Sequence, residues 1–524
     1  MYKRKVIFGI LSIFILLSLR AYGTSFSENY SYSAKSQFGA VSCGHPLAVQ
    51  AALTILKSGG NAIDAAVACA FMLGVVDFSN FGLGGDGFAL ICLPNGQVIG
   101  FDASIKRPQA LKKLDKKKIK DSSHIGLPTA TEMLLKILRL YGSKWPSEVL
   151  SPAVLVCIKG FKISSYLEKV IEQKLLSIKD KAAIEFLAPE GFPLRAGTVL
   201  KQPKLAKTLL QIGKDGGRSF YYGEQAGIIS EDMKSKGSLY TFADFIKYKS
   251  KYVKPVRKKY KDLTIYGTPA PSSSVVSISM ALTLLEKQVK LFPQNPEEIL
   301  ENAIIGRQAV NSKYNYLSKS IHNPALFNNF YSTATADTNT THLCVVDRNG
   351  MAVSMTLTLG NHFGTGELSP CGFFYNNGMR NFTVGSLYPE DYPSNAGPIS
   401  SKSPIMVTKN QKFCIALGGA GADRIITNTG LILARLLRGH SLSKSVSAPR
   451  FFLDHKNNLN IEWQPDINLT DKLANELKEP YKLTLKAGCD DYFGLISGII
   501  TDQSGYYNAV ADQRRDGACG VIKD

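Results

Sequence analysis

The chain changes rhythm as it runs. After a short strand near Gly39–Ser42, apolar residues recur at helical spacing from Pro46 through Leu56, with the proline suited to a first helical turn. Gly59-Gly60 stops that helix, and Asn61 caps a second that the pattern carries to about Val75. The second helix is apolar almost all round, so it belongs inside the protein rather than on its surface. "FALICL" and "QVIGF" then flank Pro94-Asn95-Gly96, turn chemistry between two strands. From about Thr129 to Lys287 the pattern is mostly helical, as in "TATEMLLKILRLYG", "PAVLVCIKG", "PKLAKTLLQIGK" and "SVVSISMALTLLEK". Beyond Thr340 it turns to alternating strands, glycine-rich turns and one long helix around Ile425–Leu437. Helices covering sheet in this way predict a layered fold, α/β or α+β.

One hairpin stands out. "TNTTHLCVVDRNGMAVSMTLTL" (Thr338–Leu359) sets two alternating arms around the turn Asp347-Arg348-Asn349-Gly350. Simple register places Thr358 within one residue of the position facing Thr340, and Ser354, Thr356 and Thr358 share a face. A hydroxyl from each arm therefore meets at the open end. Cross-strand threonine pairs are ordinary stabilising contacts, so the hairpin alone does not make an active site.

Composition narrows the picture. The 524 residues, 44% hydrophobic and without a fixed-period repeat, suit one or two large globular units. The net charge of +20 comes largely from lysine runs such as "KKLDKKKIK" and "YVKPVRKKYKD". These read as a solvated surface, and no nucleic-acid motif accompanies them, so no nucleic-acid partner is expected. At the N-terminus, Lys3, Arg4 and Lys5 precede an apolar run from Val6 to Leu19 and the small residues of Ala21-Tyr22-Gly23. Residues 1–23 thus read as a secretory signal peptide, predicting an exported protein that meets the membrane only through that transient segment. The cysteine count, nine, is odd; Cys69, Cys92, Cys157 and Cys414 lie in apolar runs and read as small buried hydrophobes. No clustered His or Cys spacing points to a metal. "GLGGDGF" (Gly82–Phe88) follows a helix and precedes a strand, the wrong order for a dinucleotide fingerprint, and reads instead as close backbone packing.

Read in order, "HPLAVQAALTILKSGGNAIDAAVACAFMLGVV", "GLGGDGF", "GLPTATEMLLK", "QPKLAKTL", "YGTPAPSSS", "TTHLCVVDRNGMAVS", "FGTG", "PISSKSP", "DRIIT" and "ADQRRDGA" span nearly the whole mature chain. Together they resemble the gamma-glutamyltransferase (gamma-glutamyltranspeptidase) family. The resemblance implies an N-terminal-nucleophile hydrolase with an αββα sandwich, made as a precursor that cuts itself before a threonine. Here that bond is Asn339–Thr340, giving a large fragment 24–339 and a small one 340–524 folded together as one unit. A threonine hydroxyl needs a base. The seven histidines form no recognisable triad, whereas a freed Thr340 carries its own α-amine, with a reference pKa near ~8. Thr358 matches the residue that orients the nucleophile, and His342 is expected to be structural. The backbone N–H groups of Gly421 and Ala422, in "GGAGADRIIT", match the donors that hold the oxyanion. No cofactor is implied.

The substrate residues depart from the family pattern. Ser400 and Ser401 match the serines that hold a γ-glutamyl carboxylate, but Ser104 stands at the usual arginine, leaving Lys106 or Arg107 to reach the carboxylate. The family's ammonium-binding asparagine, glutamine and acidic residue fall at Gly360 (with Asn361 beside it), Gly378 and Asn381. The expected substrate is a small-molecule γ-glutamyl amide of the glutathione type. The alternative is a different amide, as in the family's amidohydrolase-like branch, to which "GGDGF" and "FDAS" are closer. Thr340, Thr358 and the Gly421 turn argue against a third possibility, a non-catalytic binding protein that keeps the fold.

Overall fold

The computed structural model describes residues 31–108, 124–321, 339–382, 397–462, 479–486 and 491–523. The expected signal peptide, the lysine run at 112–120 and Cys489 lie outside them. Two seven-stranded sheets carry the architecture. In chain order their strands are β1 (Ser33–Ser36), β2 (Gly39–Cys43), β3 (Asp86–Cys92), β4 (Val98–Ala103), β5 (Lys251–Val253), β6 (Val256–Tyr260) and β7 (Leu263–Gly267). They continue as β8 (Asn339–Asp347), β9 (Ala352–Gly360), β10 (Ile405–Lys409), β11 (Lys412–Gly419), β12 (Ile496–Thr501), β13 (Tyr507–Ala511) and β14 (Ala518–Val521). The first sheet runs β14-β2-β8-β9-β3-β4-β5 and the second β1-β13-β12-β11-β10-β7-β6.

The hairpin β8–β9 is the centre of the first sheet. Asp347 shapes its turn by accepting from the Asn349 N–H at 2.9 Å. Val345 faces Val353 and Thr341 faces Leu357, but Asn339 pairs with Gly360, so the ladder slips by one residue between Asn339 and Thr341. Such a bulge re-aims side chains where pairing ends.

Helices α1 (Pro46–Lys57) and α2 (Ala62–Val76) cover the outer face of the first sheet. Asn61 caps α2 as expected, accepting from the Asp64 N–H, while the Asp64 carboxylate accepts from the Asn61 N–H at 2.8 Å. Every residue of α2 is buried. Helices α3 (Ser274–Glu286), α4 (Pro296–Ile321) and α5 (Arg424–Leu437) cover the second sheet through a cluster that includes Ile405, Val407, Leu417, Ile426 and Leu433. Between the sheets lies a second apolar cluster containing Leu90, Cys344, Met406, Ala416, Ile499 and Ala509. The layers are therefore helix, sheet, sheet, helix, an α+β fold.

Two expectations need refinement. The region 129–287 is mostly helical, but between Lys247 and α3 the strand β5 forms an edge of the first sheet and β6 an edge of the second, with β7 beside it. Their alternation was hidden because lysines and an arginine occupy the solvent side of "KYVKPVRKKY", with Arg257, Lys258 and Lys259 exposed. Charge on an edge strand also discourages pairing with another chain. Cys414 is only half-buried, whereas Cys69, Cys92 and Cys157 are buried; all four are free thiols. The close packing expected of Gly82–Phe88 is present: a Cβ on Gly84 would lie 2.2 Å from the Phe374 carbonyl oxygen, and one on Gly85 2.7 Å from that of Thr358.

A further glycine sets the distance between the sheets. A Cβ on Gly418 of β11 would stand 2.3 Å from His342 Cε1 on β8. Gly418→Ala should therefore destabilise the fold by about 1–3 kcal/mol, the usual cost of overpacking. A urea midpoint unchanged from wild type would contradict this close approach.

Candidate active site

The bulge at the start of β8 turns the Asn339 carbonyl toward a side chain. The Thr340 hydroxyl donates to Thr358 Oγ1 at 3.1 Å, and the Gly360 N–H donates to the same oxygen at 2.9 Å. The Thr358 hydroxyl in turn donates to the Asn339 carbonyl oxygen in a short bond. Thr358 thus joins the two atoms that would react in a self-cleavage, the Thr340 oxygen and the Asn339 carbonyl. Thr340 and Thr358 are 4% and 7% exposed. Across from Thr358, Asp86 on β3 takes both of its carboxylate oxygens to Lys402 Nζ at 2.7 Å. Burial raises the Asp86 pKa, and the Lys402 charge opposes that rise.

Arg515 approaches the same junction from the C-terminal segment. Its Nη1 donates to the Thr340 carbonyl at 3.1 Å and its Nη2 to Asn339 Oδ1 at 3.4 Å. The guanidinium lies 5.6 Å from the centre of the Tyr166 ring. A buried charge network fixes the preceding turn: Arg514 bonds Asp512 at 3.1 Å and Glu462 Oε1 at 2.8 Å, and Asp512 also pairs with Arg450. Breaking such a buried pair by removing one member is strongly destabilising, so this turn holds one geometry.

His342 does not serve as the base. Burial lowers its pKa to about 3. Its Nδ1 lies 2.8 Å from Thr356 Oγ1, and its Nε2 3.3 Å from Ser354 Oγ and 3.4 Å from Cys344 Sγ. The row of hydroxyls on β9 thus divides its work: Thr358 meets Thr340, while Thr356 and Ser354 satisfy a neutral histidine between the sheets.

Beyond β11 the chain takes two left-handed residues, Gly421 at φ +116° and Ala422 at φ +58°, before α5 begins at Arg424. Among the described residues neither of their N–H groups donates to a backbone carbonyl. Gly418 packs on His342, and Arg424 feels the charge of Arg515. These contacts set the loop at the Thr340 end of the sheets.

The residues expected to hold the substrate have internal partners in the intact chain. Lys106 Nζ bonds Ser104 Oγ at 2.7 Å and Asp102 Oδ2 at 3.1 Å; Arg107 beside it is half-buried. Ser400 Oγ accepts from the Lys402 N–H at 3.2 Å. The Ser401 hydroxyl donates to Asp423, and Lys313 Nζ donates to Ser401 Oγ at 3.1 Å. Gly360 has φ +94°, and a Cβ there would fall 1.9 Å from Asn377 Oδ1; one on Gly378 would fall 1.9 Å from Ile105 Cδ1. Asn377 and Ile105 therefore fill the space that larger side chains at 360 and 378 would need. Asn381 is exposed. Arg515, Asp86, Lys402 and Asp77 were not singled out from the sequence, although the runs "ADQRRDGA", "GGDGF", "PISSKSP" and "GVVDFSN" contain them. Nothing within those runs tells which of two adjacent arginines turns to the strand.

A family model described as gamma-glutamyltranspeptidase matches residues 48–303 and 297–522. The chain belongs to this family. Its members are N-terminal-nucleophile enzymes that hydrolyse or transfer amide-linked acyl groups, and this chain is one of them. The capsule biosynthesis protein CapD proenzyme of Bacillus anthracis is 30% identical over 507 residues, covering 93% of this chain and 91% of that protein. The glutathione hydrolase proenzyme of Escherichia coli is 29% identical, covering 84% and 83%. A cephalosporin acylase from Bacillus halodurans superposes with a TM-score of 0.82 over 96% of this chain and 99% of that one; at 21% identity the likeness speaks for the fold alone.

At the C-cap of α2, Asp77 accepts from Asn80 Nδ2 near the Thr341 hydroxyl and Arg515. Burial pushes its carboxyl up to about 7, against the pull of those neighbours. An unfolded aspartate titrates near ~3.9. Between those values the folded state binds the extra proton, so this group's contribution to stability falls as pH rises and levels off above about 7. Asp77→Asn escapes that loss, which is on the order of 4 kcal/mol. The stability difference, variant minus wild type, should grow from pH 4 to pH 7 and then stay flat in thermal unfolding. A difference independent of pH would show that Asp77 is ionised throughout.

Proposed function

We propose that the chain is an exported precursor that cuts itself at Asn339–Thr340 and then cleaves γ-glutamyl amides through an acyl-enzyme on Thr340. The observation that carries this reading is the Thr358 hydroxyl, which accepts from Thr340 Oγ1 and donates to the Asn339 carbonyl. In self-cleavage Thr340 Oγ1 bonds to the Asn339 carbonyl carbon. Its proton passes to Thr358, whose own proton passes to the carbonyl oxygen. Collapse breaks the C–N bond, and the nitrogen takes up a proton. Water then opens the ester, leaving the Asn339 carboxylate and a free Thr340 amine.

The mature reaction repeats the chemistry with a new base. The freed amine, with a reference pKa near ~8, takes the Thr340 hydroxyl proton as the oxygen attacks a substrate amide. The N–H groups of Gly421 and Ala422 are assigned to the oxyanion, a contribution of about 3 kcal/mol per donor in comparable sites. The departing amine takes the proton, and water or an acceptor amine resolves the ester. Ser400, Ser401, Lys106 and Arg107 are assigned to the substrate carboxylate, and Gly360 and Asn381 to the wall around its amino group. Export rests on the sequence of residues 1–23.

A second reading has its own support. Asn377 and Ile105 block ammonium-binding side chains at 360 and 378, which favours amides whose acyl group carries a carboxylate without the amine. Amine release from a γ-glutamyl p-nitroanilide tests the first reading. Turnover should be abolished by Thr340→Ala, a loss of about a thousandfold or more, and largely kept by Thr340→Ser. A Thr340→Ala protein that turns over like wild type would end both readings; an inert γ-glutamyl anilide beside an active glutaryl anilide would select the second.

A further inference from the structure

The turn assigned to the oxyanion has a shape it would not keep alone. Ala422 stands at φ +58°, a left-handed conformation that a residue with a Cβ keeps only where its surroundings enforce it. On the upstream side the Ala420 N–H donates to the Leu495 carbonyl at 2.7 Å, and a Cβ on Gly421 would stand 3.0 Å from Gly494 Cα. On the downstream side comes Asp423. It is the N-cap of α5, where a carboxylate ordinarily accepts from helix N–H groups, yet its side chain makes no capping bond.

That carboxylate is engaged elsewhere. Lys313 Nζ on α4 donates to Asp423 Oδ1 at 2.5 Å. The Ser401 hydroxyl donates to the same oxygen and accepts from Lys313 Nζ at 3.1 Å. The Lys313 and Asp423 side chains are 4% and 7% exposed, so each charge depends on the other rather than on water. Beside them α4 packs closely on α5: a Cβ on Gly306 would stand 3.1 Å from Thr427 Cγ2. Lys313 precedes Asn339 in the chain, and Asp423 follows Thr340. Cleavage at that junction puts the two charges on different fragments, and the ion pair then joins them.

We propose that Lys313 is a positioning residue of the mature enzyme, keeping the oxyanion turn in its left-handed shape through Asp423 from across the fragment boundary. A backbone N–H serves an oxyanion only when it is aimed at the place where the charge develops. With Asp423 released, Ala422 relaxes toward a right-handed conformation, and the peptide unit that carries its N–H turns away. Lys313 therefore acts on the transition state, where the oxyanion exists, and little on the bound substrate. This inference rests on acyl transfer to Thr340 with its donors at 421 and 422.

The test compares wild type, Lys313→Met, Lys313→Arg and the double variant Lys313→Met with Asp423→Asn, each as the self-cleaved full-length protein. Three quantities are measured: kcat and KM on γ-glutamyl or glutaryl p-nitroanilide, the thermal midpoint, and amide hydrogen exchange in the peptide 418–424. Lys313→Met should lower kcat by about 10- to 100-fold, the scale of a misplaced catalytic donor, with KM within about twofold of wild type. Lys313→Arg, which keeps the charge, should recover most of that kcat. The double variant leaves no lone buried charge, so its midpoint should return toward wild type while its kcat stays low. Exchange in 418–424 should be faster in both Met-containing variants. A double variant that regains kcat together with its midpoint, a loss confined to KM, or unchanged exchange would overturn the proposal. Should Lys313→Met fail to fold, the double variant carries the same comparison. A wild type inert toward both anilides would remove the reading beneath, and exchange in 418–424 would still decide whether Lys313 holds the turn.

Discussion

The hydroxyl of Thr358 holds the site together. It accepts from Thr340 and from the Gly360 N–H, and it donates to the Asn339 carbonyl. With one proton and two lone pairs engaged, it has a single orientation. That arrangement requires the slip at the start of β8, because in an unbroken ladder the Asn339 carbonyl would face a strand partner. It also requires Gly360, whose φ of +94° lets the chain leave β9 with its N–H turned back on Thr358.

The rest of the fold keeps this corner rigid. The sheets approach closely where Gly418 leaves room for His342, and Thr356 and Ser354 satisfy that neutral ring. Buried ion pairs brace the flanks: Lys402 with Asp86 behind Thr358, and Asp512 and Glu462 with Arg450 and Arg514 behind Arg515. Such pairs add little net stability over apolar packing but are costly to break. Their use at the corner of Thr340 and Thr358 fits a demand for fixed geometry. The helices α1, α2 and α5 lie outside, where apolar area supplies the driving force.

Much of this was legible in the chain. The hairpin register followed from period-two alternation and a strong turn, and α2 from its asparagine cap and continuous apolar face. The edge strands β5 and β6 were not legible, because lysine and arginine crowd them and the pattern reads as a solvated surface. Register alone paired the Thr340 and Thr358 hydroxyls, and the resemblance to the family supplied the roles expected of them. Arg515, Asp86 and Lys402 meet that pair from segments far away in sequence, and long-range pairing of charges leaves no periodic trace. The glycines at 360 and 378 read as losses of polar ligands; the structure adds that Asn377 and Ile105 already occupy the space.

Every functional statement depends on a chain break at one peptide bond. N-terminal sequencing and mass measurement of the purified full-length protein test it directly. The account predicts a fragment running from Thr340 to the C-terminus, held with its large partner under native conditions and absent from Thr340→Ala. A chain that stays intact while active, or a new terminus at any other residue, would contradict it.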